Sequence, residues 1–162
     1  MKHHNEFSEN EAKEQFAKES MVNPLLKKFI LRYGRLYSGR ERPAGLRKRK
    51  AKHCFRIAEE LSSKYDWEYA EGVYCPQPRL GWHEHAWCLD KGGAVVDAVC
   101  SSPKQAFYLG VVVPRAILSR SLLRTKMFGL FCRFDDCEEA IQDWIESCSR
   151  LVPPADLGEA KS

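Results

Sequence analysis

A chain of 162 residues, 44% hydrophobic and 30% charged, carries enough apolar mass for one ordinary core. The net charge of +4 is too small to imply a polyanion partner by itself, and the longest apolar run, Ala106 to Val113, is far shorter than the ~20 residues of a membrane helix. Seven cysteines, an odd number, follow a polar start with no leader-like apolar segment, so free thiols in a reduced, cytoplasmic setting are expected rather than a secreted disulfide scaffold.

The first predicted helix runs from Ser8 to Ser20, with Ser8 as N-cap and Glu11 completing a capping box. Asn23 caps a second helix with Pro24 at its first position, and Leu25, Leu26, Phe29, Ile30 and Tyr33 repeat at helical spacing. Ser38 to Gly45 carries Gly and Pro and reads as a loop. Residues 1–45 are therefore expected to form an N-terminal helical arm, the first twenty residues serving for docking. Arg40 to His53 holds seven Lys/Arg against one Glu. It reads first as a solvated positive linker, with nucleic acid or an acidic protein as the partners that Arg40 to Lys52 would attract.

A core domain is expected over 46–152. Cys54, Ile57, Ala58 and Leu61 share one face of a helix whose other face carries Glu59 and Glu60. Strands are predicted at Glu68 to Cys75, His85 to Leu89, Ala94 to Val99 and Phe107 to Val113, joined by short Gly- or Pro-bearing connections that suit an antiparallel sheet. Pro114 admits a helix through Ile117, Leu118, Leu122 and Leu123. A last helix, starting at Asp135 or Asp136, turns Ala140, Ile141, Trp144, Ile145 and Cys148 inward, and Pro153-Pro154 ends it before a frayed tail over 153–162. The expected class is α+β, an antiparallel sheet packed on a Cys-bearing helix with further helices at both ends.

Chemistry concentrates in an ordered trio, Cys54, His85 and Asp97. A thiol becomes a nucleophile as thiolate, which a helix N-terminus and a neighbouring imidazolium both favour. Cys54 opens its helical pattern, and His85 would pair with it and carry protons. Asp97, amid Val95, Val96 and Val99, needs a partner if buried, and holding the imidazole in one tautomer would supply it. Register decides whether these two meet. A three-residue loop of Asp90, Lys91 and Gly92, with Gly92 left-handed, sets Leu89 opposite Gly93 and His85 opposite Asp97. A two-residue Lys91-Gly92 turn slips the register and sends Asp97 to the other face.

The stretch Cys54-Phe55-Arg56-Ile57-Ala58, then Glu71-Gly72, then His85-Ala86-Trp87, then Val96-Asp97 resembles the transglutaminase-like branch of the papain-like fold, and small phage and bacterial proteins of that type. The resemblance covers Cys54 to Leu118. It implies Cys54 as nucleophile, His85 as general base and acid and Asp97 as its orienter, in thiol-dependent acyl chemistry on an amide or isopeptide that needs no cofactor. A protein or peptide substrate follows, hydrolysis being expected ahead of transfer. Glu71, Trp82, His83 and Trp87 are the candidate substrate-binding residues, against a bulge at Gly72 and ordinary packing of Trp87. Two other readings stay open. One is a noncatalytic binding or inhibitory module on the same fold, phage-encoded and acting on a host protein. The other is a zinc site from His83 and His85 with Cys75, Cys88 and Cys100, ligand types that suit the metal without a paired Cys-x-x-Cys.

Overall fold

The computed structural model describes residues 7–19, 21–77 and 80–131. The expected helix after Asp135, the tail over 153–162 and the cysteines at 132, 137 and 148 lie outside the described residues. Among the described residues, four α-helices accompany one five-stranded antiparallel sheet, so the class is α+β.

Helix α1 (Glu9–Ala17) starts as its sequence dictates. Ser8 Oγ accepts the Glu11 N–H, and the Glu11 carboxylate accepts the Ser8 N–H at 2.8 Å. Helix α2 (Pro24–Tyr33) begins at its proline, with Asn23 Oδ1 accepting the Leu26 N–H. The chain then turns at Gly34, where a Cβ would stand 2.5 Å from the Ile30 carbonyl oxygen. It continues into a strand the sequence reading lacked, β1 (Arg35–Ser38). Residues 7–38 pack into the main body of the fold. They supply Ala12, Phe16, Leu26, Phe29 and Ile30 to the core and one strand to the sheet. Glu9 Oε2 accepts the Leu36 N–H at 3.1 Å, occupying a donor on that edge strand.

A 3-10 turn (Ala51–His53) leads into helix α3 (Cys54–Tyr65), and β2 (Glu68–Cys75), β3 (His83–Leu89), β4 (Val95–Val96) and β5 (Phe107–Val112) follow before α4 (Arg115–Thr125). The strand order is β1-β5-β2-β3-β4. Period-two alternation sorts the side chains into two cores. Tyr69, Val73, Ala86, Cys88, Leu109 and Val111 pack with Ile57, Ala58 and Leu61 of α3. Ala70, Trp87, Leu89, Val95 and Tyr108 form a second cluster. His85 is paired with Gly72, and Gly72 with Gly110, which places His85 in the row of the second cluster.

Two expectations are corrected at the β3–β4 hairpin. Its loop has the expected three residues but lies one place later. Asp90 N–H bonds Ala94 O, Gly93 N–H bonds Asp90 O, and Gly93 takes the left-handed conformation at φ +75°. Leu89 therefore opposes Val95 rather than Gly93. The shift changes the pairing by two positions, so parity survives and His85 and Asp97 keep a common face. The cause is the Asp90 carboxylate, whose Oδ1 accepts the N–H groups of both Gly92 and Ala94 and so makes Asp90 the residue before the loop. The second correction is length, since the strand expected over Ala94 to Val99 stops at Val96. Asp97 Oδ1 accepts the N–H groups of Val99 and Cys100 at 2.7 and 3.1 Å, and this local turn competes with a ladder. Among the described residues no helix is long and apolar enough to cross a membrane.

Candidate active site

Cys54 is the first residue of α3, with His53 in the N-cap position at φ −129° and making no side-chain cap. The helix lies against the sheet because Ile57, Ala58 and Leu61 face it, which fixes where the thiol stands. Because β4 pairs only with Cys88 and Leu89, among the described residues β3 has no strand partner on that side from His83 to Trp87. The Cys54 side chain stands beside His85, close enough to favour charge on the imidazole. Cys54 is 9% exposed and His85 3%, so both side chains are sheltered from solvent.

His85 Nε2–H donates to Asp97 Oδ2 at 2.7 Å. The carboxylate is held from both sides. Tyr108 donates its hydroxyl to Oδ2 at 2.9 Å, while Val99 and Cys100 N–H groups hold Oδ1. The imidazole is walled by aromatic rings, with Tyr74 at 4.3 Å between centroids, Tyr108 at 6.1 Å and Trp87 at 6.4 Å. Burial opposes charge on His85, but the bond to Asp97, the contact with Cys54 and the Asp97 charge outweigh it and raise its pKa from 6.5 to about 9. Burial likewise opposes charge on Asp97. There the His85 bond and charge and the two N–H groups prevail, and its pKa lies below the ordinary carboxylate value. At neutral pH the site therefore holds an imidazolium between the Asp97 carboxylate and Cys54. The chain matches no family model, no curated protein and no solved structure.

The other residues singled out from sequence fall elsewhere. Glu71 is 1% exposed and faces away from the His85 row, because it is paired with Ala86 and its neighbour Gly72 with His85. Its oxygens accept the N–H groups of Leu130 and Phe131 at 2.8 and 2.6 Å and the Tyr69 hydroxyl at 2.8 Å. It is a structural tie and presents nothing to a substrate. Trp82 is buried against Phe7 and Phe16. Trp87 is buried as well, its Cη2 lying where a Cβ on Gly110 would come within 2.6 Å. Packing claims both indoles. His83 alone of the four is exposed, beside the Tyr74 ring at 5.9 Å.

The thiols of the zinc reading are dispersed. Cys75 donates to Gln77 O and Cys88 to Ala58 O, and burial lifts the Cys88 thiol to about 12. Among the described residues no three His, Cys, Asp or Glu side chains are grouped to hold a metal ion.

Two contributors escaped the sequence reading. Tyr108 sits in a run read as plain apolar strand, and its hydroxyl was the signal, since a buried phenol seeks an acceptor. Arg42 lies in the supposed linker. Its guanidinium donates to the carbonyls of Asp97 at 3.1 Å and Cys100 at 2.7 Å, pinning the turn that carries the carboxylate.

Proposed function

We propose that the protein is a thiol-dependent acyl enzyme working through Cys54, His85 and Asp97. The observation that carries the reading is the arrangement: a thiol at a helix start, an imidazole beside it whose charge it favours, and a buried carboxylate bonded to that imidazole at Nε2. An imidazolium beside a thiol is the partner a thiolate nucleophile needs, and the positive end of α3 acts in the same sense.

In the reaction, the Cys54 sulfur adds to the carbonyl carbon of an amide or isopeptide. The oxyanion forms beside backbone N–H groups at the start of α3. His85 gives its Nδ1 proton to the departing nitrogen, the C–N bond breaks and an acyl-thioester remains. Water or an amine then gives a proton to His85 while attacking the thioester, and sulfur leaves. Asp97 stays ionised throughout and holds the ring in place. The trio and its order support a place in the transglutaminase-like branch of papain-like enzymes, with a protein or peptide as substrate.

The test is alkylation of the native protein by iodoacetamide at neutral pH, with modified thiols mapped by mass spectrometry. Cys54 is expected to react roughly tenfold faster or more than Cys75, Cys88 and Cys100, and to lose that lead in His85→Ala. An inert Cys54 in the folded protein would sink the catalytic reading and leave a noncatalytic binding module.

A further inference from the structure

The basic run before Cys54 divides into two sets. Arg40 and Arg42 are committed to the fold: Arg40 pairs with Asp90 and donates to Val95 O, and Arg42 holds the Asp97 turn. Arg47, Lys48, Lys50 and Lys52 are exposed, and among the described residues none of them forms an ion pair. Lys48 donates to the neutral Ser101 hydroxyl at 2.8 Å, which leaves its charge uncompensated. Arg49 reaches Glu60 only at 3.8 Å, with both side chains exposed, a geometry worth little in water.

This segment is no free linker. The Arg49 N–H donates to Ala98 O at 2.7 Å, and Ala98 follows Asp97 in the turn that holds its carboxylate. The uncompensated cations are thus carried on backbone fastened to the wall of the site, and Lys52 lies in the 3-10 turn that enters α3.

We propose that Arg47, Lys48, Lys50 and Lys52 recruit an acidic polypeptide segment and deliver its neighbouring amide or isopeptide carbonyl to Cys54. The inference rests on the acyl-enzyme reading and supplies its substrate class. Like charges held together on anchored backbone repel one another, so the strip adds nothing to stability that would explain it. An outside anion would relieve that repulsion. A carboxylate-rich chain suits it better than nucleic acid on two counts. Residues 40–53 contain no Phe, Tyr or Trp on which bases would stack. A thiol–imidazole pair also acts on acyl carbon, which a phosphodiester backbone does not offer.

The experiment uses peptides that bear the same chloroacetamide group, one flanked by glutamates and one by serines, and follows labelling of Cys54 in the full chain. At low ionic strength the glutamate peptide is expected to label on the order of tenfold faster, and at about 0.5 M salt the two rates should converge. Changing the four cations together to Gln should remove the preference, and changing them to Glu should reverse it. The ratio of the two rates within each variant cancels any general loss of fold or reactivity. Equal rates in the native protein, with iodoacetamide still labelling Cys54, would overturn this inference and spare the acyl-enzyme reading. A Cys54 inert to every reagent would overturn both. An oligothymidylate that protects Cys54 at low salt where the glutamate peptide shows no preference would assign the strip to nucleic acid instead.

Discussion

Asp97 and Glu71 are both carboxylates sealed within the fold, 2% and 1% exposed, and both accept hydrogen bonds on each oxygen. They nevertheless end in opposite states. Around Glu71, burial is the largest influence, and two backbone N–H groups and one phenol do not overcome it, so its pKa is pushed up to about 7. Around Asp97 burial is again the largest single influence, but a positively charged imidazole joins two N–H groups in opposing it and the pKa falls. Neutral donors alone leave a buried carboxylate close to neutrality; a cation in contact keeps it ionised. The difference marks their roles, since a carboxylate paired with a titratable partner can orient and stabilise charge, and one paired with backbone can only tie segments together.

Deleting each carboxylate should separate the roles most widely. Asp97→Ala takes the counter-charge from a buried imidazolium, and a loss of about 3–5 kcal/mol is expected in urea unfolding near neutral pH. Asp97→Asn keeps an acceptor for the Val99 and Cys100 N–H groups but not the charge, so Cys54 alkylation should fall toward the His85→Ala rate. If Asp97→Asn alkylates like the parent, Asp97 is a tie like Glu71 and the contrast fails.

The pH dependence of stability gives the next largest effect. Glu71 has a folded pKa of about 7 against an ordinary 4.5. Its contribution is complete below pH 4.5 and is lost as pH rises to 7. For His85, at about 9 against 6.5, the contribution is complete below pH 6.5 and lost between 6.5 and 9. Asp97 has the reverse sign: its contribution is present above its ordinary 3.8 and is lost on acidification. The stability advantage of the parent over Glu71→Gln should therefore shrink by about 3 kcal/mol between pH 4.5 and 7, then level off. A flat difference across that range would mean that Glu71 titrates as an exposed carboxylate does.

Much of this contrast was legible in the chain. Alternation over Glu68 to Cys75 puts Glu71 in one row with Tyr69, Val73 and Cys75, an apolar company that signals a buried carboxylate. The cleft role read for Glu71 followed its place in sequence and ignored that row. The capping box at Ser8, the start of α2 and the span of β2 were readable because the rules that set them act within a few residues. Strand β1 was not readable, since an edge strand of four residues pairs on one side only and needs no strong alternation. The end of β4 was hidden for a related reason. Asp97 reads as one more residue of a β-branched run until its carboxylate captures the Val99 and Cys100 N–H groups. The pairing of His85 with Asp97 was within reach because face depends on loop parity, which tolerated an error of one residue in loop position.

The finest test lies in a symmetry between the two carboxylates, for each accepts one tyrosine hydroxyl, Tyr108 on Asp97 at 2.9 Å and Tyr69 on Glu71 at 2.8 Å. Changing either tyrosine to Phe removes one donor, keeps the ring and should cost about 1 kcal/mol. The titrations should part company. Without Tyr69, Glu71 retains only two N–H groups against its burial, so the window in which it loses stabilising power should move above pH 7. Without Tyr108, Asp97 still faces the imidazolium and two N–H groups, so it stays ionised and the acid side of the stability curve should scarcely move. A Tyr108→Phe protein whose acid limb shifted as far as the Tyr69→Phe limb would show that the phenol, and not the imidazolium, keeps Asp97 charged.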